Sequence, residues 1–334
     1  MNLITKIYYP FLIFISILTL IACKQDITSD KPVKQQPIAY ITNQGANTVS
    51  VVNSQNQQVI KTLNVGKSPV GVAVSASTNR AYVTNIDSQS ISVINTKTNT
   101  VIDTITLKAS PVGIAVAPNG KTLYVADWFA NTIFAVSTTP PYQSSTLTVG
   151  NAPAGLVVSP NNAWLYVTNR DSNDIAMIDT QNFSIHKRIK VGKHPFGIAL
   201  SVQGDLLATV NVQDDTLSVL TLNTEGEVTK QSVIKVGYHP YCAAFSGDGR
   251  KLYVTNTQDD SVSVVDVALN KIITTIDVES TPEGIAIDAQ NQLAYIANWG
   301  SNSVSIINTH NDSFIKNIPT GEKSRAFGQF ILQP

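Results

Sequence analysis

Cysteine is nearly absent: the 334 residues hold two, Cys23 and Cys242. A disulfide framework is therefore excluded as the source of stability. C-x-x-C, C-x-x-C-H, H-E-x-x-H and G-x-S-x-G are all missing, so nothing marks a thiol redox centre, an attached haem, a zincin or a hydrolase elbow. Charge of one sign is missing too. Lys plus Arg and Asp plus Glu both number 23, leaving no whole-molecule field to draw nucleic acid, which is not expected as a partner. No stretch has helical periodicity, and no apolar run is long enough for a comfortable membrane helix. The four histidines offer no third ligand at a fixed spacing, so neither a metal nor a cofactor is expected.

What is present begins with a leader. Lys6 precedes an apolar run from Ile7 to Ile21, broken at Pro10, Ser16 and Thr19, with the length of a signal-peptide core. It ends in Leu20-Ile21-Ala22-Cys23, which resembles the bacterial lipobox. That resemblance implies cleavage before Cys23 and a lipid on its thiol, hence a membrane anchor. Lys24 in place of Asp suits an outer-membrane lipoprotein in a Gram-negative host, facing the periplasm or the cell surface. Residues 24–37, KQDITSDKPVKQQP, are polar and carry two prolines, as a flexible tether does. The expected organisation is a signal peptide over 1–22, the lipidated Cys23 and tether over 23–37, and a folded domain over 38–334.

The domain is written as a repeat. LYVTN stands at 165–169 and at 252–256, AYVTN at 81–85, and degenerate copies bring the total to seven. Their last residues are Asn43, Asn85, Asp127, Asn169, Asn211, Asn256 and Asn298, 42 residues apart except for one interval of 45. A second mark keeps the same beat: Pro69, Pro111, Pro153, Pro195, Pro240 and Pro282, followed two residues later by Gly in all but one case, where Cys242 stands instead. Each unit has four strand-like runs separated by Asn, Asp, Ser, Gly and Pro, and SVSVVD at 261–266 alternates with period two. Four short strands per 42-residue unit specify a propeller blade. The folded part opens on a second strand, IAYITN, and closes on RAFGQFIL at 325–332, which matches a first strand. The expectation is an all-β, monomeric, seven-bladed propeller of four-stranded antiparallel blades. The C-terminal strand joins the N-terminal blade and leaves no open edge.

Residues 111–137, PVGIAVAPNGKTLYVADWFANTIFAVS, and 282–308, PEGIAIDAQNQLAYIANWGSNSVSIIN, carry a resemblance to the YVTN-family β-propeller repeat proteins. It extends over about 38–332. It implies the fold and leaves function open, because related propellers include surface-layer proteins, lactonase-like enzymes and haem- or quinone-associated dehydrogenases. The pentapeptide itself is read as buried scaffold.

Ligands of propellers gather at the channel mouth, where the loops entering the inner strands meet those between second and third strands. Positions at which one copy departs from the others are therefore the candidates. Before each Pro, or Ser324 in the seventh copy, stand Ser68, Ser110, Ala152, His194, His239, Thr281 and Lys323; after it stand Val70, Val112, Ala154, Phe196, Tyr241, Glu283 and Arg325. The first copies are bland and the last four are rich. His194, Phe196, His239, Tyr241, Glu283 and Arg325 are thus candidate ligand-binding residues, with Glu283 and Arg325 also able simply to pair. Trp128 and Trp299, directly after the pentapeptide, are expected to be exposed and to touch a sugar, peptide or protein, or to pack over a blade top. Asp214-Asp215 and Asp259-Asp260 are read as turn residues, and Cys242 as a small buried residue in a Gly position. No catalytic residue is assigned. The reading is an envelope-anchored binding platform for a protein, glycan or small ligand. The alternatives are a lactonase-like or cofactor-bearing propeller enzyme using His194 and His239, and a structural surface component.

Overall fold

Each letter of the pentapeptide has its own task, and together they build the ring. The computed structural model describes residues 36–333. The expected signal segment, Cys23 and the tether up to residue 35 lie outside the described residues. Seven four-stranded antiparallel sheets are present: blade 1 contains the second strand Ile38–Asn43, and blades 2 to 7 have inner strands that begin at Pro69, Pro111, Pro153, Pro195, Pro240 and Pro282. The one helical element among the described residues is a single 3-10 turn, Arg170–Ser172. Blade 4 shows the plan: inner strand Pro153–Val158, second strand Trp164–Asn169, third strand Asp174–Asp179 and outer strand Ser184–Lys190. Asn169 pairs with both Pro153 and Asp174. The start of the inner strand and the turn between second and third strands therefore share one face, the mouth face. The turn from inner to second strand lies on the opposite face.

Val167 is wholly buried between blades. Tyr166 reaches the next blade, its hydroxyl donating to the Gly226 carbonyl at 3.0 Å; Tyr253 does the same to Thr309 at 3.1 Å. Thr168 Oγ1 accepts the Gly155 N–H at 2.8 Å within its own blade and donates to the Phe196 carbonyl of blade 5 at 2.7 Å. Asn256 Nδ2 donates to Ser261 at 3.0 Å and Ser263 at 2.9 Å, fastening its own third strand. Hydrogen bonds buried at such seams are costly to break, because the orphaned partner has no water to turn to. The Gly after each Pro is steric. A Cβ on Gly113 would lie 1.8 Å from the Ala154 carbonyl oxygen, so neighbouring inner strands approach at a distance only glycine allows.

Closure joins the chain ends as expected, but the closing strand is broken. Only Ile331 and Leu332 form regular ladder partners, with Ala39 and Ile38. At the other end Ser324 bridges Asn43, and the Arg325 N–H donates to the Thr42 carbonyl at 2.8 Å. Between these points Ala326 at φ 87° and Gly328 at φ 90° turn the backbone through the left-handed region. The chain steps inward, and Phe327 pairs with blade 2 instead: its N–H donates to Val70 at 3.2 Å, and its carbonyl accepts from Val72 at 2.8 Å. One segment thus fastens blade 1 and blade 2. At the outer seam between blades 7 and 1, Tyr295 donates to Ser54 Oγ at 2.7 Å, and Ser54 in turn bonds the fully buried Asp288.

Candidate functional site

The mouth face is set by a series of latches. The residue before the repeated Pro, or before Ser324 in the seventh copy, has φ between 51° and 56° at Ser68, Ala152, His194, His239, Thr281 and Lys323. Its N–H is held by a side chain in the second-to-third-strand turn of the preceding blade: His194 by Asn173 at 2.9 Å, His239 by Asp215 at 2.9 Å, Thr281 by Asp260 at 2.8 Å and Lys323 by Asn302 at 2.7 Å. Asp214 and Asp259 accept the N–H groups of Lys193 at 2.7 Å and Tyr238 at 2.6 Å. The acidic pairs are therefore fasteners of backbone donors, as turn residues of this type are.

The rich copies fill the channel. Phe196 of blade 5 lies 4.2 Å from Tyr241 of blade 6, 5.3 Å from Phe327 and 5.7 Å from Trp128 of blade 3, measured between ring centroids. Those residues come from different sides of the ring, so the cluster spans the axis and stoppers it. Phe196 is 4 % exposed and Phe327 7 %. Burial of a phenylalanine side chain stabilises by roughly 1.5–3 kcal/mol. Glu283, 5 % exposed, accepts from Arg325 Nε and, at 2.8 Å, from Arg325 Nη2. Burial pushes the Glu283 carboxyl up, against the pull of Arg325. The Arg325 guanidinium in turn lies over the Phe327 ring at 5.2 Å. The pairing that the sequence left open is present. The structure thus brings Phe196, Tyr241, Glu283 and Arg325 together, mostly turned inward. Cys242 is buried at the same depth, and burial raises its thiol far from a reactive thiolate.

The two imidazoles have separate partners. His194 Nε2 stands 3.9 Å from Asp171 Oδ1, and its Nδ1 is buried without a hydrogen bond. Burial, with Arg170 nearby, holds its pKa below the usual histidine value. His239 Nδ1 meets Thr257 Oγ1 at 2.9 Å, and its ring lies parallel to Tyr241 at 6.3 Å. Among the described residues no three of His, Cys, Asp and Glu gather as a metal requires.

Trp128 and Trp299 are half-buried, which corrects the expectation that both are exposed. Trp128 is held between Phe196 and the Arg170 guanidinium, 5.5 Å from its centroid. Trp299 donates from Nε1 to Gln44 at 3.3 Å, with Lys323 Nζ 5.1 Å from its ring. A tryptophan beside a gap between blades gains more by covering apolar surface than by standing in water.

A concavity on this face lies where the sequence is plain. A polar cleft of about 430 Å³ is lined by Gln44, Asn47, Lys67, Ser68, Asp87 and Lys323, beside Trp299. Its residues come from the loops of blades 1 and 2, next to the bland copies. Reasoning from departures in the repeat missed it, because bulky departures fill space and small residues leave it. The available signal was Lys67 and Lys323 in the two loops that flank blade 1.

Chains of known structure share this architecture. Hydrazine synthase of Kuenenia stuttgartiensis superimposes with a TM-score of 0.71 at 19% identity, over 82% of this chain and 92% of that one. A protein from Lactobacillus plantarum gives 0.76 at 15% identity, over 90% and 100%. Virginiamycin B lyase from Staphylococcus aureus gives 0.63 at 20% identity, over 75% and 84%. At these identities the likeness is one of fold. No curated protein matches the sequence. A family model, the YNCE-like beta-propeller, matches residues 22–332.

Proposed function

The chain belongs to the YNCE-like beta-propeller family, and on that premise we propose that it is a binding module of the bacterial cell envelope that holds a saccharide in the cleft between blades 1 and 2. The observation that carries this reading is the lining of the cleft. Two ammonium groups (Lys67 and Lys323), one carboxylate (Asp87), two amides (Gln44 and Asn47) and one hydroxyl (Ser68) converge with no apolar side chain among them. A mixed set of donors and acceptors with a tryptophan at its margin suits a hydroxyl-rich, partly anionic ligand. Ser68 Oγ is already aligned by Asp87, and Asn47 Oδ1 by the Ser68 N–H at 2.9 Å, so part of the site is ordered before a ligand arrives.

The anchor belongs to the same proposal. Cys23 would carry the lipid, residues 24–37 would act as the tether, and the outer membrane would be the address. The test is binding of the mature chain to an array of neutral, amino- and acid-bearing saccharides. Retention should concentrate on acid-bearing members and weaken with salt. Equal, weak signal across the array would overturn the reading.

A further inference from the structure

The channel is closed at the mouth face but open at the other. Below the aromatic stopper lies a cavity of about 490 Å³, within the range of small-molecule sites. It is unconnected with the cleft proposed above and rests on none of that reading. It runs along the inner strands from the level of Val112 to the turn at Pro118, and the equivalent turns at Pro160, Val202 and Ala289 line its outer end. At about 3.3 Å per residue the depth is about 20 Å. A cavity of 490 Å³ over that depth is an elongated bore less than about 10 Å wide. A helix, about 10–12 Å across with its side chains, does not fit. A single slender chain does.

The wall is chiefly apolar, and its half-buried members on successive blades, such as Val116, Val158 and Leu200, turn surface toward the bore. The inner strands also present backbone edges, and two of these are already covered by the protein. Phe327 occupies the edge at Val70 and Val72, and Gln333 Nε2 donates to the Ile287 carbonyl at 3.0 Å. Gln329 and Gln333 are the long polar side chains of the wall. Val202 stands 70 % exposed at the outer end, where it adds apolar surface to the rim. The chain enters the ring on this same face, where Ile38 pairs with Leu332.

We propose that the central channel is a binding site for one alkyl chain of a fatty acid or membrane lipid, entered from the face opposite the mouth, with its methyl end against the Phe196–Phe327 stopper. The head group stays at the opening near Gln333.

The test uses cis-parinaric acid and the chain from Lys24 onward, which contains every residue that closes the ring. Fluorescence should rise saturably with one site per chain. Ala115→Phe with Ala244→Phe, which narrows the bore, should weaken binding at least tenfold. Because that pair risks the fold, Val202→Asp serves as a second variant: it places a charge at an exposed turn and should weaken binding several-fold with an unchanged melting temperature. Displacement of the probe by palmitate in buffer assigns a free fatty acid. Uptake from vesicles of parinaroyl phosphatidylcholine that palmitate does not reverse assigns a bilayer lipid. The proposal is overturned if neither probe saturates. It is equally overturned if chains carrying these substitutions, folded as judged by melting, bind as the unaltered chain does.

Discussion

Phe196 of blade 5 meets Phe327 of the C-terminal segment edge-on, their ring centroids 5.3 Å apart and their planes at 79°. Residues that are 131 positions apart in sequence thus touch at the axis of the ring, and the last turn of the chain becomes its central stopper. The left-handed backbone at Ala326 and Gly328 makes this possible, since a regular strand would have kept Phe327 on the blade.

Removing that ring should be expensive. Phe327→Ala leaves a cavity among Phe196, Tyr241 and Arg325 and is expected to cost about 3–5 kcal/mol, with deletion from Arg325 onward costing more because blade 1 then has an open edge. Deletion of 24–35 should leave the melting curve where it was. Urea denaturation of the three chains checks this, and a truncation at Arg325 that unfolds at the wild-type midpoint contradicts it.

The seam threonines offer a finer test. Thr168→Val keeps the shape but removes the acceptor for Gly155 and the donor for Phe196. A loss of about 1–3 kcal/mol is expected, and Thr168→Ser should recover most of it. Ala126 and Ala297 occupy the corresponding place in blades 3 and 7, so Ala126→Thr is the converse experiment and should stabilise or leave stability unchanged. Equal stability of the Val and Ser variants would remove the seam argument.

His194 gives a pH signature. Its pKa is held below the unfolded value by burial and by Arg170. The unfolded chain, at about 6.5, takes up the proton first, so this residue's contribution is present above that pH and is lost as pH falls through it. Thermal melts between pH 7.5 and 5 should therefore drop more steeply for the unaltered chain than for His194→Asn, a residue that tolerates the φ of 53° found there. Parallel curves would mean that the imidazole is not desolvated.

The anchor is testable in cells. Cys23→Ser should abolish labelling by a radioactive fatty acid and leave an unprocessed precursor. Label retained on the Ser variant would refute lipid attachment at this residue.

The ring was legible in the sequence because closure of a propeller depends on repetition, and repetition is visible in one chain. The period, the four strands and the joining of the ends all followed from the Asn and Pro marks. The break at Ala326 was not legible, since Ala gives no warning of a positive φ and only tertiary packing of Phe327 demands it. At the mouth, the departures at Phe196, Tyr241, Glu283 and Arg325 were visible. Their inward packing was not, because sequence shows which residue types stand out and not which way they point. The cleft beside Ser68 escaped for the complementary reason: it is made by what small residues leave open.

The central claim is that the open cleft binds and the rich residues pack. Saccharide-array retention, read together with the melting temperature, tests it on two paired variants. Lys67→Ala with Lys323→Ala should abolish retention and leave melting unchanged, since these are surface positions worth within about 0.5 kcal/mol each. Phe196→Ala with Tyr241→Ala should lower the melting temperature by many degrees while the surviving folded chain keeps its retention. If the lysine pair binds as before and the aromatic pair loses retention while melting normally, the ligand is held at the stopper and the cleft assignment is contradicted.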